Sequence, residues 1–176
     1  FLQSEYVQTY QSLLAGEQLR ELCQKYGYRV AFMPHALMEP YIDKFVKGDN
    51  CSYWDRSKPY REAFAEGSLL ITDYSSVAFD FAYLQKPIIY YQFDKEKFFA
   101  EHTYKQGYFD YERDGLGEVV YTEAELLSAI QRCLETQCVV QEKYRERIQE
   151  TFAYMDKQNC ERVYQHLLEN EKGVRK

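Results

Sequence analysis

The sequence predicts an α/β protein built on a doubly wound parallel sheet, and three observations lead there. The run LLITDYSSVAFDFAYLQKPIIYY over 69–91 reads as strand, polar turn, helix, Pro and second strand. Short apolar runs alternate with stretches of helical period along the chain, as βα units require. The strongest polar turn follows directly on an apolar strand, and the carboxyl ends of strands are where open α/β sheets bind ligands.

Taken in order, 5–25 reads as one long helix, with Tyr6, Tyr10, Leu13, Leu14, Leu19, Leu22 and Cys23 on its apolar positions. Gly16 weakens that helix without breaking it, and Gly27 stops it. RVAFM at 29–33 is a short buried strand running into Pro34 and His35, and 39–46 follows as one amphipathic helix. A strand over 51–54 precedes a helix over 57–66, with Pro59 near its first turn. In the central unit Leu69, Leu70 and Ile71 are continuously apolar, which suits a strand covered on both faces. Val77, Phe81 and Leu84 recur at helical spacing, Ala78 and Ala82 permit close packing, and Lys86-Pro87 ends the helix before a strand over 88–93. A glycine-containing loop over 107–117 leads to a strand over 118–121, and Thr122 caps a helix over 123–136. Helices over 139–152 and 157–170 complete a charged tail, so the chain reads as a single Rossmann-like domain over 1–176.

Composition narrows the function classes. A length of 176 residues fits one domain with a sizeable core. The net charge of −6, without a dense basic run, argues against a nucleic-acid partner. Five cysteines are scattered without metal-ligand spacing, which argues against zinc or a disulfide framework and suits a reducing cytoplasm. No cofactor or metal is expected, since no ligand constellation can be assembled from His102, His166 and the cysteines. The 18 tyrosines and 11 phenylalanines suit sugar, nucleobase or partner-domain surfaces, or equally a half-buried domain face. Neither a signal peptide nor an apolar stretch of bilayer length is read, and the first residue, Phe1, suggests a fragment of something longer.

Candidate site residues cluster at strand ends. Ser75 or Ser76 can cap the helix that follows, and the remaining amides then form an anion site without the glycines of a Walker loop or a dinucleotide fingerprint. Asp73 either caps or orients the turn; its carboxylate would repel a phosphate. Asp80 stands four residues beyond Ser76 and can face the same cleft, or be solvated. Asp94 closes the strand over 88–93 and binds a hydroxyl or caps the next helix. His35 follows a strand and can donate to a phosphate or transfer a proton. Arg113 is a phosphate clamp or a surface arginine.

The stretch LITDYSSVAFDFAYLQKPIIYYQFD resembles the signature of the CDP-glycerol glycerophosphotransferase family, the teichoic-acid primases and polymerases and their capsule-synthesis relatives. The likeness continues through GYFDYERDGLGEVVYTEAELLSAI and back to FMPHALMEPY, covering about 28–130. It implies the C-terminal, donor-binding half of a GT-B architecture. By resemblance, Ser75 and Ser76 bind the pyrophosphate of a CDP-alcohol, His35 contributes to the donor phosphate site, and the loop over 107–117 approaches the donor, with Gly115 and Gly117 permitting close backbone approach. Ala36 stands where the family usually has Pro.

The resemblance implies transfer of glycerol phosphate from CDP-glycerol, or another CDP-polyol, to an acceptor hydroxyl with release of CMP. The acceptor is expected to be a lipid-linked polymer, placing the whole protein peripherally on the inner face of the cell membrane. The family's other histidine, the base on the acceptor, belongs to an N-terminal acceptor domain with no equivalent segment in this chain. The fragment alone is therefore expected to bind donor and to transfer little. Two competing readings are the donor half of a nucleotide-sugar glycosyltransferase and a non-catalytic interaction module.

Overall fold

A computed structural model describes residues 3–34, 36–44, 48–55, 57–101 and 107–174. Among these residues are five short strands, β1 (Val30–Phe32), β2 (Cys51–Tyr53), β3 (Leu70–Thr72), β4 (Ile88–Tyr91) and β5 (Glu118–Val120), which all pair in parallel. They form two ladders rather than one continuous sheet, β1-β2 and β3-β4-β5. Register pairs Thr72 with Tyr90 and Tyr91 with Val120, so the ends of β3, β4 and β5 lie side by side.

The helix expected over 5–25 is two helices, α1 (Glu5–Ala15) and α2 (Glu17–Tyr26). Gly16 lies between them in extended conformation (φ −64°, ψ 135°), closing one helix and opening the other. Gly16 therefore breaks what the apolar pattern reads as continuous; an extended residue interrupts the hydrogen-bond ladder whatever the face around it. Gly27 ends α2 in the left-handed region at φ 76°, as expected. The segment expected to be an amphipathic α-helix over 39–46 is a 3₁₀ helix, Ala36–Lys44, with Pro40 inside it; Pro withdraws an N–H donor that a regular α-helix needs.

The remaining helices are α3 (Tyr60–Glu66), α4 (Val77–Tyr83), α5 (Lys95–Glu101), α6 (Glu123–Glu135), α7 (Glu142–Thr151) and α8 (Asn159–Val174). Pro59 is the N-cap of α3 and Thr122 that of α6, where Thr122 and Glu125 form a reciprocal capping box. Helix α4 ends short of Lys86-Pro87, at Leu84 and Gln85, the latter with φ 55°.

Strand β4 is the buried centre, every residue covered. Ile89 and Tyr91 pack with Leu19, Cys23, Leu126 and Ile130 of α2 and α6. Ile88 and Tyr90 face the other way, onto Ala78, Phe81 and Ala82 of α4 and Ile148 of α7. Helices on both faces are what doubly wound means. Strand β3, expected to be fully buried, is only half-buried at Leu70 and Ile71, because it is the end strand of its ladder. A third cluster, Val7, Tyr10 and Met38 with Phe32, Tyr53 and Phe93, ties α1 to the β1-β2 ladder and to the end of β4. Among the described residues no helix is long and apolar enough to cross a membrane.

Candidate functional site

Parallel pairing brings the turn after β3 and the turn after β4 together. The Asp73 carboxylate accepts from the Tyr74 N–H at 2.7 Å, fixing the start of the turn. The Tyr74 side chain then crosses to the neighbouring strand end, its hydroxyl donating to Asp94 Oδ1 at 3.1 Å. Its ring stacks on Phe98 of α5 at 3.7 Å and 12° and meets Tyr111 edge-on at 5.9 Å.

The two serines divide their tasks. Ser75 Oγ accepts from the Val77 N–H at 3.5 Å, a long and therefore weak cap. Ser76 occupies the N-cap position but is already helical (φ −66°, ψ −15°), and its side chain caps nothing. The Ser76 hydroxyl is exposed and makes no hydrogen bond among the described residues. It is thus available to an anion beside the turn. The seven residues of α4 make only two turns, so local amides and hydroxyls, rather than a long helix dipole, carry any attraction.

Charge in the site is negative and its walls are tyrosine. Burial pushes the hydroxyls of Tyr6, Tyr10, Tyr74 and Tyr111 above the usual tyrosine range, and the Asp73 carboxylate adds to the effect at each. Asp94 acts likewise on Tyr6, Tyr10 and Tyr74. Protonated tyrosines are hydrogen-bond donors, as Tyr74 is to Asp94, and they wall the site without adding charge. Among the described residues no group of three or more His, Cys, Asp or Glu could hold a metal ion.

The loop expected to approach a donor is braced by the protein itself. Arg113 grips Asp114 with two bonds, Nε to Oδ1 at 2.7 Å and Nη2 to Oδ2 at 2.6 Å, and donates to Tyr108 O at 2.8 Å. This engagement holds the Asp114 carboxyl down at about 2 and leaves the guanidinium partnered rather than open. The space that Gly115 and Gly117 leave is taken by backbone: a Cβ on Gly115 would stand 2.0 Å from Tyr111 O, and one on Gly117 2.1 Å from Ile88 O. Arg147 of α7 donates to Gly115 O at 2.8 Å and Glu112 O at 3.0 Å. On the far side, Lys95 Nζ reaches Tyr121 Oη at 3.1 Å and Glu112 at 3.3 Å, tying α5 to the loop and to the end of β5.

Of the residues singled out from sequence, Asp73, Ser75, Ser76 and Asp94 come together at the ends of β3 and β4. Asp80 is exposed on α4 and makes no hydrogen bond or ion pair among the described residues. His35 and His102 lie outside the described residues. Tyr74 bridges the strand ends, and Tyr6 and Tyr10 of α1 bring their rings to the same place; sequence periodicity reads these last two only as a helix's apolar face. Their one available signal is tyrosine where phenylalanine would fill nearly the same volume without a hydroxyl.

Three comparisons with known proteins bear on this site. The family model of CDP-glycerol:poly(glycerophosphate) glycerophosphotransferase matches residues 3–169. The minor teichoic acid biosynthesis protein GgaB of Bacillus subtilis (strain 168) is 37% identical over 169 residues, which are 96% of this chain and 18% of that protein. The teichoic acid glycerol-phosphate transferase of Staphylococcus aureus (strain NCTC 8325 / PS 47) is 36% identical over 112 residues, 62% of this chain and 27% of that protein. The chain therefore spans only 18% and 27% of the length of these two relatives. In structure it is similar to the wall teichoic acid polymerase TagF, in a variant soaked with CDPG, with a TM-score of 0.61 at 19% identity over 98% of this chain and 47% of that one. The likeness shows the fold and bears out the Rossmann-like α/β domain of GT-B kind expected from the sequence.

Proposed function

The chain belongs to the CDP-glycerol:poly(glycerophosphate) glycerophosphotransferase family, and from that premise we propose that it is the donor-binding part of a polyol-phosphate transferase of teichoic-acid synthesis. The observation that carries this reading is the Asp73–Ser76 turn at the carboxyl end of β3, held against the end of β4 by the Tyr74–Asp94 bond. In the proposed reaction an acceptor hydroxyl oxygen forms a bond to the glycerol-bearing phosphorus of CDP-glycerol. The bond from that phosphorus to the bridging oxygen breaks, CMP leaves with the electron pair, and the acceptor proton passes to a base. Phosphoryl transfer of this kind depends mainly on positioning and on donors aimed at developing charge. Ser76, with its exposed hydroxyl, and Ser75 would bind the diphosphate. Asp73 and Asp94 would orient the turn and a hydroxyl. The role of His35 at the donor phosphates rests on the family alone.

Arg113 is engaged by Asp114 and would need to exchange that partner to clamp a phosphate, so we assign it to bracing the loop. The base that activates the acceptor, the lipid-linked polymer that supplies the hydroxyl, and peripheral attachment to the inner face of the membrane belong to the proposed whole protein.

Calorimetric titration with CDP-glycerol, CDP-ribitol, CMP and UDP-N-acetylglucosamine tests the reading, repeated on a Ser75→Ala, Ser76→Ala chain. Binding of a CDP-alcohol that weakens on the double substitution is the expected result. Saturable binding of the UDP-sugar alone would move the chain to the nucleotide-sugar transferases. A folded chain that binds none of the four would overturn the donor-site reading.

A further inference from the structure

Gln92 is fully buried, at 0% exposure, yet neither Oε1 nor Nε2 of its carboxamide meets a hydrogen-bond partner among the described residues. A buried amide with both ends unmet is destabilising, and such groups persist where something other than stability retains them. Its place in the fold is defined by the backbone. The Gln92 N–H donates to Val120 O at 2.9 Å, continuing the β4–β5 ladder one residue past β4.

Alternation then sets the side. Ile89 and Tyr91 face α2 and α6, and Phe93 packs on Tyr91 at 5.0 Å, so the odd positions share one face. Ile88 and Tyr90 face α4, and a period of two puts Gln92 with them. At that end of the strand the same face carries Tyr111, which meets Tyr90 at 5.1 Å and Tyr74 at 5.9 Å. The β3–β4 pairing ends at Thr72 and Tyr90, each two residues before Tyr74 and Gln92 in their own segments. The amide therefore belongs to the strand end next to the serine turn, two residues before Asp94.

We propose that Gln92 is a specificity-determining residue of the donor site, its carboxamide binding a hydroxyl of the group joined directly to the donor diphosphate. The inference rests on the donor-site reading above. Chemistry selects the hydroxyl: an amide presents an acceptor and donors together, and a hydroxyl answers both. A phosphate oxygen would satisfy Nε2 and leave Oε1 facing an acceptor. Position favours a near group over the nucleobase, because Gln92 lies two residues before Asp94, whose carboxylate the Tyr74 hydroxyl meets one residue ahead of the serines. Two groups of the donor carry hydroxyls there, the alcohol on one side of the diphosphate and the ribose on the other.

The test uses Gln92→Met, which keeps length and removes polarity, and Gln92→Leu as a second apolar variant in case one fails to fold. Each is melted without ligand and titrated with CDP-glycerol and with CDP. The expected variant melts above the parent chain, because an unpaired amide has been removed, and binds CDP-glycerol about tenfold more weakly. Unchanged affinity for CDP would assign the contact to the alcohol, and an equal loss for CDP would assign it to the ribose. Unaltered affinity for both ligands, or a lower melting temperature, would overturn the proposal by showing that Gln92 has no ligand role or has a structural partner. If the parent chain itself fails to bind CDP-glycerol, the donor-site reading falls and this inference with it.

Discussion

The hydroxyl of Tyr74 and the carboxylate of Asp94, 20 residues apart in sequence, are joined at 3.1 Å across the carboxyl ends of two neighbouring parallel strands. The bond lies one residue before the serine pair and two after Gln92, so it sets the spacing between the two turns from which the candidate site is built. Stacking on Phe98 fixes the ring that carries it.

Tyr74→Phe keeps the ring and removes the bond. The expected loss is about 1 kcal/mol in stability, as for a partly buried hydrogen bond, together with weaker donor binding as Asp94 loses its anchor. Urea unfolding and titration with CDP-glycerol measure the two effects. Wild-type affinity in a chain that has lost the stability would show that the bond only supports the fold.

Gly117→Ala should destabilise by about 3 kcal/mol or prevent folding, because its Cβ would stand 2.1 Å from Ile88 O with backbone on both sides unable to give way. Gly107→Ala is the control, with nothing within 4 Å of the added atom. Equal melting temperatures for the two variants would contradict the close approach of β5 to β4.

Lys86 holds the end of α3 in place: its Nζ donates to Phe64 O at 2.6 Å, Ala65 O at 2.9 Å and Gly67 O at 2.7 Å. Lys86→Met retains the aliphatic stem and leaves three carbonyls without their cation, an expected loss of about 2 kcal/mol. Amide hydrogen exchange should report faster opening in α3 before the β3-β4-β5 ladder. Uniform exchange across both would rule out this local role.

Alkaline pH should unfold the chain through its tyrosines. An unfolded tyrosine ionises near 10; in the fold burial pushes Tyr90 and Tyr91 up to about 12. Tyr6, Tyr10 and Tyr74 are also raised, chiefly by burial, with the carboxylates of Asp73 and Asp94 adding to it. The folded state keeps these protons longer than the unfolded one, so their contribution is fully present below about pH 10 and falls as pH climbs toward about 12. The last increment of tyrosinate absorbance, from the buried rings, should appear together with the loss of circular dichroism over that window. Full tyrosinate absorbance reached before any loss of structure would mean that the buried hydroxyls are open to solvent.

Replacing Thr122 by Ala removes half of the capping box at α6 and should lower stability by about 1 kcal/mol, read from the denaturation midpoint. A neutral result would place the start of α6 under the control of its packing on α2.

Much of the fold was legible because its signals are local. Gly27, Thr122 and the apolar runs each constrain a few consecutive residues, and the structure places a stop, a cap and strands where they indicate, whereas Pro59, read near the first turn of a helix from 57, is the N-cap of one that starts at Tyr60. The misreadings have the same origin. An unbroken apolar face runs past Gly16, and period alone does not register that one extended residue divides the helix. Pro40 lies within a segment whose pattern suits an α-helix and whose backbone takes the tighter 3₁₀ form.

The serine turn and its neighbouring aspartates were readable as two alternatives, helix caps or ligand-binding groups, since the same hydroxyls and carboxylates serve both. What they touch was not. Arg113 reads as a phosphate clamp or a surface arginine and is held by Asp114, and the space that the resemblance implies for a donor beside Gly115 and Gly117 is taken by the carbonyls of Tyr111 and Ile88.

By itself the sequence determined the β-turn-α-β unit over 69–91, the Thr122 cap of α6 and the family to which the chain belongs, because these depend on residue order and on backbone preferences within a few positions. Only the tertiary structure decided that Tyr74 reaches Asp94, that Tyr6 and Tyr10 come to the same strand ends, that Lys86 caps a helix 20 residues upstream, and that Gln92 is buried without a partner. Those outcomes follow from strand register and from how helices settle on the two faces of β4. Both are set by burial of the whole core, a quantity that no short window of sequence contains.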